Sequence, residues 1–287
     1  MISTDDVSEP YFTVFTPVYN GAQHLSRVLK SISDQTFRNF EWIIINDGST
    51  DASADIIKAY LRDHPELDAK HIEQPNSGKH ISWNRAVKLA RGTLFVPADA
   101  DDYFLPETLK FFHDKWEEIH RDLRQGLSGI NVLCLDNDSD RIVGTLFPED
   151  GLITNNVELE FRYKLRGEKW GCIRVDILKT RLFPVVKGSH FPESYLWYHF
   201  SRKYKVICYN KPLRRYYTTD SGITQSASRS RQTRSQHLVN LRYYLWLNSA
   251  FGLYLLRHAP ESYINNWKVI FGSIRRILTT RRKASLF

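Results

Sequence analysis

Cysteine is scarce in this 287-residue chain: Cys134, Cys172 and Cys208 are the only three, spaced 38 and 36 residues apart. Neither a disulfide framework nor the short C-x-x-C pairs of a zinc site fits that pattern, and a reducing compartment does. His190 and His199 likewise lack zinc-ligand spacing. Long apolar runs are missing too. The longest uncharged apolar stretch, Tyr243–Leu256, has 14 residues and includes Asn248 and Ser249, short of the ~18 that a spanning helix needs. Met1–Pro10 is polar and acidic, without the basic and apolar regions of a secretory signal, so a cytoplasmic location is expected. There is no G-x-G-x-x-G and no G-x-x-x-x-G-K-[ST], which counts against a dinucleotide enzyme and a P-loop NTPase.

Acid is scarce near the C-terminus. Residues 211–287 hold 14 Lys+Arg against 2 Asp+Glu, a net +12, while residues 1–210 hold 26 against 30. A basic appendage on a mildly acidic body points to an anionic surface, either lipid headgroups or nucleic acid, with a solvated helical face as the plainer alternative. No nucleic-acid-binding module is recognisable in the tail, so no nucleic-acid partner is expected. With 42% hydrophobic, 25% charged and 13% aromatic residues the bulk of the chain is globular, long enough for one large domain or a domain with an appendage.

Strand and helix patterns alternate along the first 120 residues. Strands are predicted at Tyr11–Thr16, Phe40–Ile45, Ala69–Glu73 and Thr93–Ala98, and helices at Gly21–Asp34, Asp51–Arg62, Lys79–Arg91 and Pro106–His120. Such βα alternation predicts an α/β fold, a mostly parallel sheet flanked by helices, with ligands at the carboxyl ends of the strands. The loops expected there are Pro17-Val18-Tyr19-Asn20, Asn46-Asp47-Gly48-Ser49, Pro75-Asn76-Ser77-Gly78-Lys79 and Asp99-Ala100-Asp101-Asp102. An aromatic, an Asp in a tight turn, a Lys at a helix start and a carboxylate cluster together suit a nucleoside, its phosphates and a divalent cation. Three carboxylates within four residues repel one another unless cations compensate them. A plainer reading has Asp101 or Asp102 capping the next helix and the others solvated.

Thr16-Pro17-Val18-Tyr19-Asn20-Gly21, Asn46 to Asp51, Asn76 to Lys79 followed by Trp83-Asn84-Arg85-Ala86, and Ala98 to Asp102 together resemble the nucleotide-sugar-binding half of a family 2 glycosyltransferase with the GT-A (Rossmann-like) fold. The resemblance spans residues 11–110. It implies that Pro17 and Tyr19 form the base-binding wall, that the Asp47 carboxylate accepts a hydrogen bond from the base, and that Lys79 lies near the diphosphate and Asp99. It also implies that Asp99 meets the ribose or the metal's water shell, and that Asp101 coordinates Mg or Mn, with Asp99 and Asp102 as further candidate ligands. The role implied for the cation is Lewis-acid stabilisation of the leaving diphosphate. Lys79, His80 and Ile81 stand where small residues commonly follow the glycine, and Pro97 precedes the acidic loop. This variant resembles a branch associated with bacterial capsular and surface polysaccharide assembly.

Family members of this kind invert the anomeric centre and need a general base for the acceptor hydroxyl. Phe191 to Trp197 resembles the family's acidic base motif, which makes Glu193 the candidate base, with Glu158 and Glu168 as fallbacks. A helix-start acid favoured by the dipole is the plainer role for Glu193. Residues 111–217 form the expected acceptor half of a catalytic domain at 1–217. Gly126–Phe147 is predicted as two strands joined around Asp136-Asn137-Asp138, and Trp170 and Trp197 are candidates to stack on an acceptor sugar. Leu213 to Tyr217 resembles the strand that closes the domain, with Arg214 or Arg215 reaching a diphosphate or remaining surface arginines. Residues 218–233 are predicted as a mobile loop, and 234–287 as a basic amphipathic helical extension with helices near Arg234–His258 and Glu261–Thr280. In the second, Trp267, Ile270, Phe271, Ile274 and Ile277 share a face, and Lys268, Arg275 and Arg282 recur every seven residues on another. It suits an anionic membrane interface or packing on protein.

The expected activity is transfer of a sugar from a nucleotide donor, UDP first, to a carbohydrate or lipid-linked acceptor in surface polysaccharide biosynthesis, by a metal-dependent inverting enzyme peripheral to the inner face of the cell membrane. A non-catalytic nucleotide-sugar or polyanion-binding protein with a degenerate site, and a metal-dependent nucleotidyltransferase, are the alternatives. The sugar, the acceptor and the oligomeric state, a homo-oligomer included, are left open.

Overall fold

The computed structural model describes residues 9–186, 189, 191–217 and 233–284. The chain divides into two compact units. One comprises Met1–Thr154, Arg166–Leu182 and Lys203–Tyr217, and the other Asn155–Leu165, Phe183–Arg202 and Thr218–Phe287.

In the first unit, β1 (Phe12–Val18), α1 (Ala22–Ser33), β2 (Phe40–Asn46), α2 (Ser53–Asp63), β3 (Ala69–Glu73), α3 (Lys79–Leu89) and β4 (Leu94–Pro97) alternate along the chain. Within β1 and β2 residues of both parities are buried, as a sheet covered on both faces demands. Phe12, Val14, Trp42 and Ile44 enter the main core together with Leu25, Val28 and Leu29 of α1. On the opposite face Phe15 meets Trp83 of α3 and Phe95 at 6.0 and 5.7 Å between ring centroids. β3-β2-β1-β4 are all parallel, with Val18 level with Asn46, Asn46 with Glu73 and Phe15 with Pro97. Their carboxyl ends therefore share one edge.

The unit continues with β5 (Tyr103–Phe104), α4 (Thr108–Glu118), α5 (Arg121–Gln125), β6 (Leu127–Asp136) and β7 (Leu152–Thr154). In the other unit lies α6 (Asn156–Phe161). β8 (Lys169–Arg174) and α7 (Val175–Thr180) return to the first unit, α8 (Ser194–Phe200) belongs to the second, and β9 (Lys205–Tyr216) closes the sheet. Its order is β3-β2-β1-β4-β8-β6-β9-β5, with β7 also on β9. β8 runs antiparallel to both β4 and β6, and β9 is parallel to β6. The hairpin expected over 126–147 forms only one strand. Beyond it the chain returns by a single bridge, Leu135 to Ile142, because Asp136 turns it by accepting the amide and hydroxyl of Ser139 at 2.8 and 2.6 Å. Pro212 lies inside β9 opposite Leu133, between two register shifts, the irregular kind of position at which a strand tolerates proline.

The second unit is helical: α6 and α8 with α9 (Arg234–His258) and α10 (Pro260–Ala284). Tyr198 of α8 donates to Glu160 of α6. Ser194 and Tyr243 of α9 share a hydrogen bond of 2.8 Å, and the Tyr195 ring lies 5.2 Å from that of Trp246. α9 and α10 are joined by a buried amide pair, Asn266 Nδ2 donating to Asn248 Oδ1 at 2.7 Å. No helix among the described residues is long and apolar enough to cross a membrane.

Candidate functional site

Three of the four strand-end loops are stitched together by side chains acting on backbone amides. After β1, Asn20 takes a left-handed conformation, φ 49°. Its amide donates to Ser49 Oγ at 2.9 Å and its Oδ1 accepts the Thr50 amide at 2.8 Å. Asp51 accepts the Ala22 amide at 3.0 Å, fixing the start of α1. Tyr19 is left 54% exposed at this edge, available to an incoming ring, and Pro17 precedes it within β1.

Asp47 is buried. Its Oδ1 accepts Gln74 Nε2 at 2.7 Å and the Ser77 amide at 3.0 Å, and its Oδ2 accepts the Gly78 amide at 2.7 Å. The carboxylate thus fastens the loop after β3 to the loop after β2, the work of an Asx turn extended across two strands. Gly48, at φ 74°, permits this closeness: a Cβ there would stand 2.5 Å from the Asn76 amide nitrogen. Gln74 lies outside the motifs of the sequence, yet its amide also touches Ser82 Oγ at 3.1 Å and its Oε1 accepts Arg85 Nη1 at 3.0 Å. No local signal marks such a residue beyond its position directly after a strand.

The acidic loop follows β4, and its three carboxylates have three different environments. Asp99 is straddled by Lys79, whose Nζ lies 3.0 and 3.1 Å from its two oxygens. Burial pushes the Asp99 carboxyl up, but the positive charges of Lys79 and Arg214 outweigh it and hold the group below its ordinary range. Asp102 is buried and bonded to Arg214 Nη1 at 2.9 Å. Burial is the stronger influence there, Arg214 opposing it and the Asp99 and Asp101 charges adding to it, so the Asp102 carboxyl is pushed up to about 7. The Asp101 carboxylate takes no partner among the described residues, although its backbone carbonyl accepts from Arg27, whose guanidinium lies 3.4 Å over the Tyr217 ring. Of the three, only Asp101 keeps all its lone pairs for a ligand.

Arg214 is no surface residue. It is 4% exposed, donates to Asp102, to Glu168 Oε1 at 3.0 Å and to Cys134 Sγ at 3.3 Å, and lies 5.7 Å from the Trp170 ring. Its partner Asp102 is committed to that pair. Trp170 is also buried: its indole donates to the Pro97 carbonyl at 2.7 Å and its ring meets Phe104 and Phe112 at 4.9 and 5.4 Å. It supports the acidic loop from within the core and presents no open face for a sugar. Glu193, exposed at the start of α8, makes no side-chain cap bond. Trp197 is half-buried on the same helix, and both belong to the second unit together with Glu158 on α6. Glu168, of the first unit, is the carboxylate bound by Arg214.

No group of three or more His, Cys, Asp or Glu among the described residues could hold a metal ion unaided. One open carboxylate at Asp101, with Asp99 beside it in the loop, nonetheless suits a hard cation that takes its other oxygens from phosphate and water, as Mg commonly does.

Residues 13–128 match the model of glycosyl transferase family 2. The chain carries a family 2 glycosyltransferase domain. A putative teichuronic acid biosynthesis glycosyltransferase, TuaG of Bacillus subtilis, is 30% identical over 174 residues, covering 59% of this chain and 62% of the relative. Of four curated relatives at 30% to 37% identity, the chain spans 16% to 62% of their lengths. The crystal structure of S. aureus TarS 1-349 in complex with UDP-GlcNAc is similar at a TM-score of 0.63 and 22% identity, over 83% of this chain and 66% of that one. The Pyrobaculum calidifontis mannosyltransferase PcManGT, in complex with GDP-Man and Mn2+, is similar at 0.59 and 17%, over 98% and 81%. These likenesses show the fold, a GT-A α/β architecture, and the four loops lie at the carboxyl edge of its parallel strands.

Proposed function

We propose that the chain is an inverting, metal-dependent glycosyltransferase that moves a sugar from a nucleotide donor, a UDP-sugar first, to a saccharide or lipid-linked acceptor in surface polysaccharide biosynthesis at the inner face of a cell membrane. The observation that carries the reading is the division of labour in the acidic loop. Asp99 is neutralised by Lys79 and Asp102 by Arg214, leaving Asp101 open at the carboxyl edge of a parallel sheet. TarS with UDP-GlcNAc and PcManGT with GDP-Man and Mn2+ support a nucleotide-sugar donor.

In this reading Pro17 and Tyr19 flank the base and Asp47 meets its edge while holding the loop at Ser77 and Gly78. Lys79 would lie at the diphosphate, and Asp99 would meet the ribose or water around the cation. Asp101 would hold Mg or Mn. When bound with the donor, that cation supplies Lewis-acid stabilisation of the leaving diphosphate. Glu193 takes the proton of the acceptor hydroxyl as its oxygen attacks the anomeric carbon opposite the leaving group. The new C–O bond forms as the bond to the diphosphate oxygen breaks, and the configuration inverts. Glu168 is the weaker candidate because Arg214 already occupies its carboxylate.

The test is turnover of a set of nucleotide-sugars, with nucleoside diphosphate and pyrophosphate assayed separately. Release of the diphosphate, lost about 100-fold or more in Glu193→Gln with donor affinity retained, is the expected result. Pyrophosphate release identifies a nucleotidyltransferase instead. Unchanged turnover in Glu193→Gln removes that residue from the mechanism.

A further inference from the structure

The helices α9 and α10 expose more apolar surface than their own packing explains. On α10, Asn266, Ile270 and Ser273 are buried. Ile264, Phe271 and Leu278, each seven residues from the next, are 53%, 64% and 59% exposed. At 100° per residue these three fall within a strip of roughly 40°, about 130° round the helix from the buried positions. Lys268 and Arg275, both exposed and also seven apart, border that strip. The face predicted as one apolar stripe is thus split: Ile270 is buried, while Phe271 and Ile274 are turned to solvent. On α9, Leu245, Leu253 and Leu256 form a second exposed strip, Leu253 being 87% exposed, with Arg242 and Arg257 exposed beside them.

Charge identifies the occupant. Residues 234–284 carry 9 Lys+Arg and one acid, Glu261. In a two-fold dimer a patch meets its own copy, which would set these cations against each other with one carboxylate per chain to compensate. A nucleic acid would satisfy the cations but leave the Leu, Ile and Phe side chains without an apolar environment. An anionic bilayer surface satisfies both, and no described helix is suited to spanning it.

We infer that the exposed strips of α9 and α10, Leu253 and Phe271 at their centres and Lys268 and Arg275 at the border, are a docking face for anionic lipid, entering the headgroup region without crossing the bilayer. The inference deepens the membrane location proposed above and does not rest on the catalytic assignment. Lipid binding is read without turnover, so either can fail alone.

The experiment is co-sedimentation of the full chain with phosphatidylcholine vesicles with and without phosphatidylglycerol. Binding should require phosphatidylglycerol and weaken with salt. Lys268→Glu together with Arg275→Glu should lower the partition coefficient about 25-fold or more, at about fivefold for each basic residue removed. Leu253→Ser with Phe271→Ser should lower it about tenfold or more through lost apolar burial. All four positions are exposed, so nucleotide binding and far-UV circular dichroism should be unchanged. Equal binding to neutral vesicles, or unaltered partition in both variants, overturns the inference. So does a stable dimer that Phe271→Ser converts to monomer without changing partition, which would give the face to a second copy.

Discussion

Arg214→Met isolates the interaction that organises the acidic loop. The guanidinium and the Asp102 carboxylate are each 4% exposed, 2.9 Å apart, and joined across 112 positions of sequence. Removing one member of a buried pair strands the other, at about 3–5 kcal/mol. The second ion pair adds little, because Glu168 is 48% exposed and water screens such contacts to about 0–1 kcal/mol. The lower end of the range is expected. The Asp102 carboxyl stands near 7 even beside Arg214, so once the arginine is gone it rises further and takes up a proton at neutral pH, which limits the charge left stranded. Urea unfolding at pH 7 should therefore place Arg214→Met about 3 kcal/mol below wild type and Glu168→Gln within about 1 kcal/mol. Adding Asp102→Asn to Arg214→Met should restore part of the loss, with a coupling of about 1–2 kcal/mol between the two sites. Strict additivity, or Arg214→Met within about 1 kcal/mol of wild type, would show that the buried pair does not stabilise the fold.

Gly48→Ala should lower stability by about 2 kcal/mol or more, since its Cβ meets backbone at Asn76 and alanine resists a φ of 74°. Nucleotide affinity should fall with it, and a thermal melt showing no change contradicts the turn's role. Glu41, buried beneath Arg91, is pushed up by burial but held below its ordinary value by the Thr13 hydroxyl and the Arg91 amide and guanidinium. A depressed folded value means that its stabilisation is present above about pH 4.3 and is lost as pH falls through the folded value. The stability gap between wild type and Glu41→Gln should accordingly narrow from pH 7 towards pH 3, as followed by urea unfolding, and a gap independent of pH contradicts it.

The parallel half of the fold is legible because its signals are local. Phe40 to Ile45 reads as a buried strand by composition, and Ala69–Glu73 is bounded by turn residues. The meeting of the four loops follows from chain order alone, since parallel strands joined by helices place their carboxyl ends together. The partners are not legible. Arg214 and Asp102 lie on different strands far apart in sequence, and nothing in Leu213-Arg214-Arg215 distinguishes the buried arginine from its neighbour Arg215, which pairs with the exposed Asp140. Trp170 is ambiguous in sequence for the same reason: an indole serves as well against a core as against a sugar, and its burial and its bond to the Pro97 carbonyl decide. The grouping of α6 and α8 with the C-terminal helices rests on contacts such as Ser194 with Tyr243, which no short-range pattern encodes.

The most direct test of the proposed donor site is calorimetric titration with UDP, GDP, CDP and ADP, each with Mn and with EDTA, on wild type and Asp101→Ala. One diphosphate should bind, EDTA should abolish the binding, and Asp101→Ala should lose it while keeping the wild-type melting temperature. Binding that is indifferent to both the metal and Asp101, or no binding of any nucleotide by the folded protein, would contradict the proposed site.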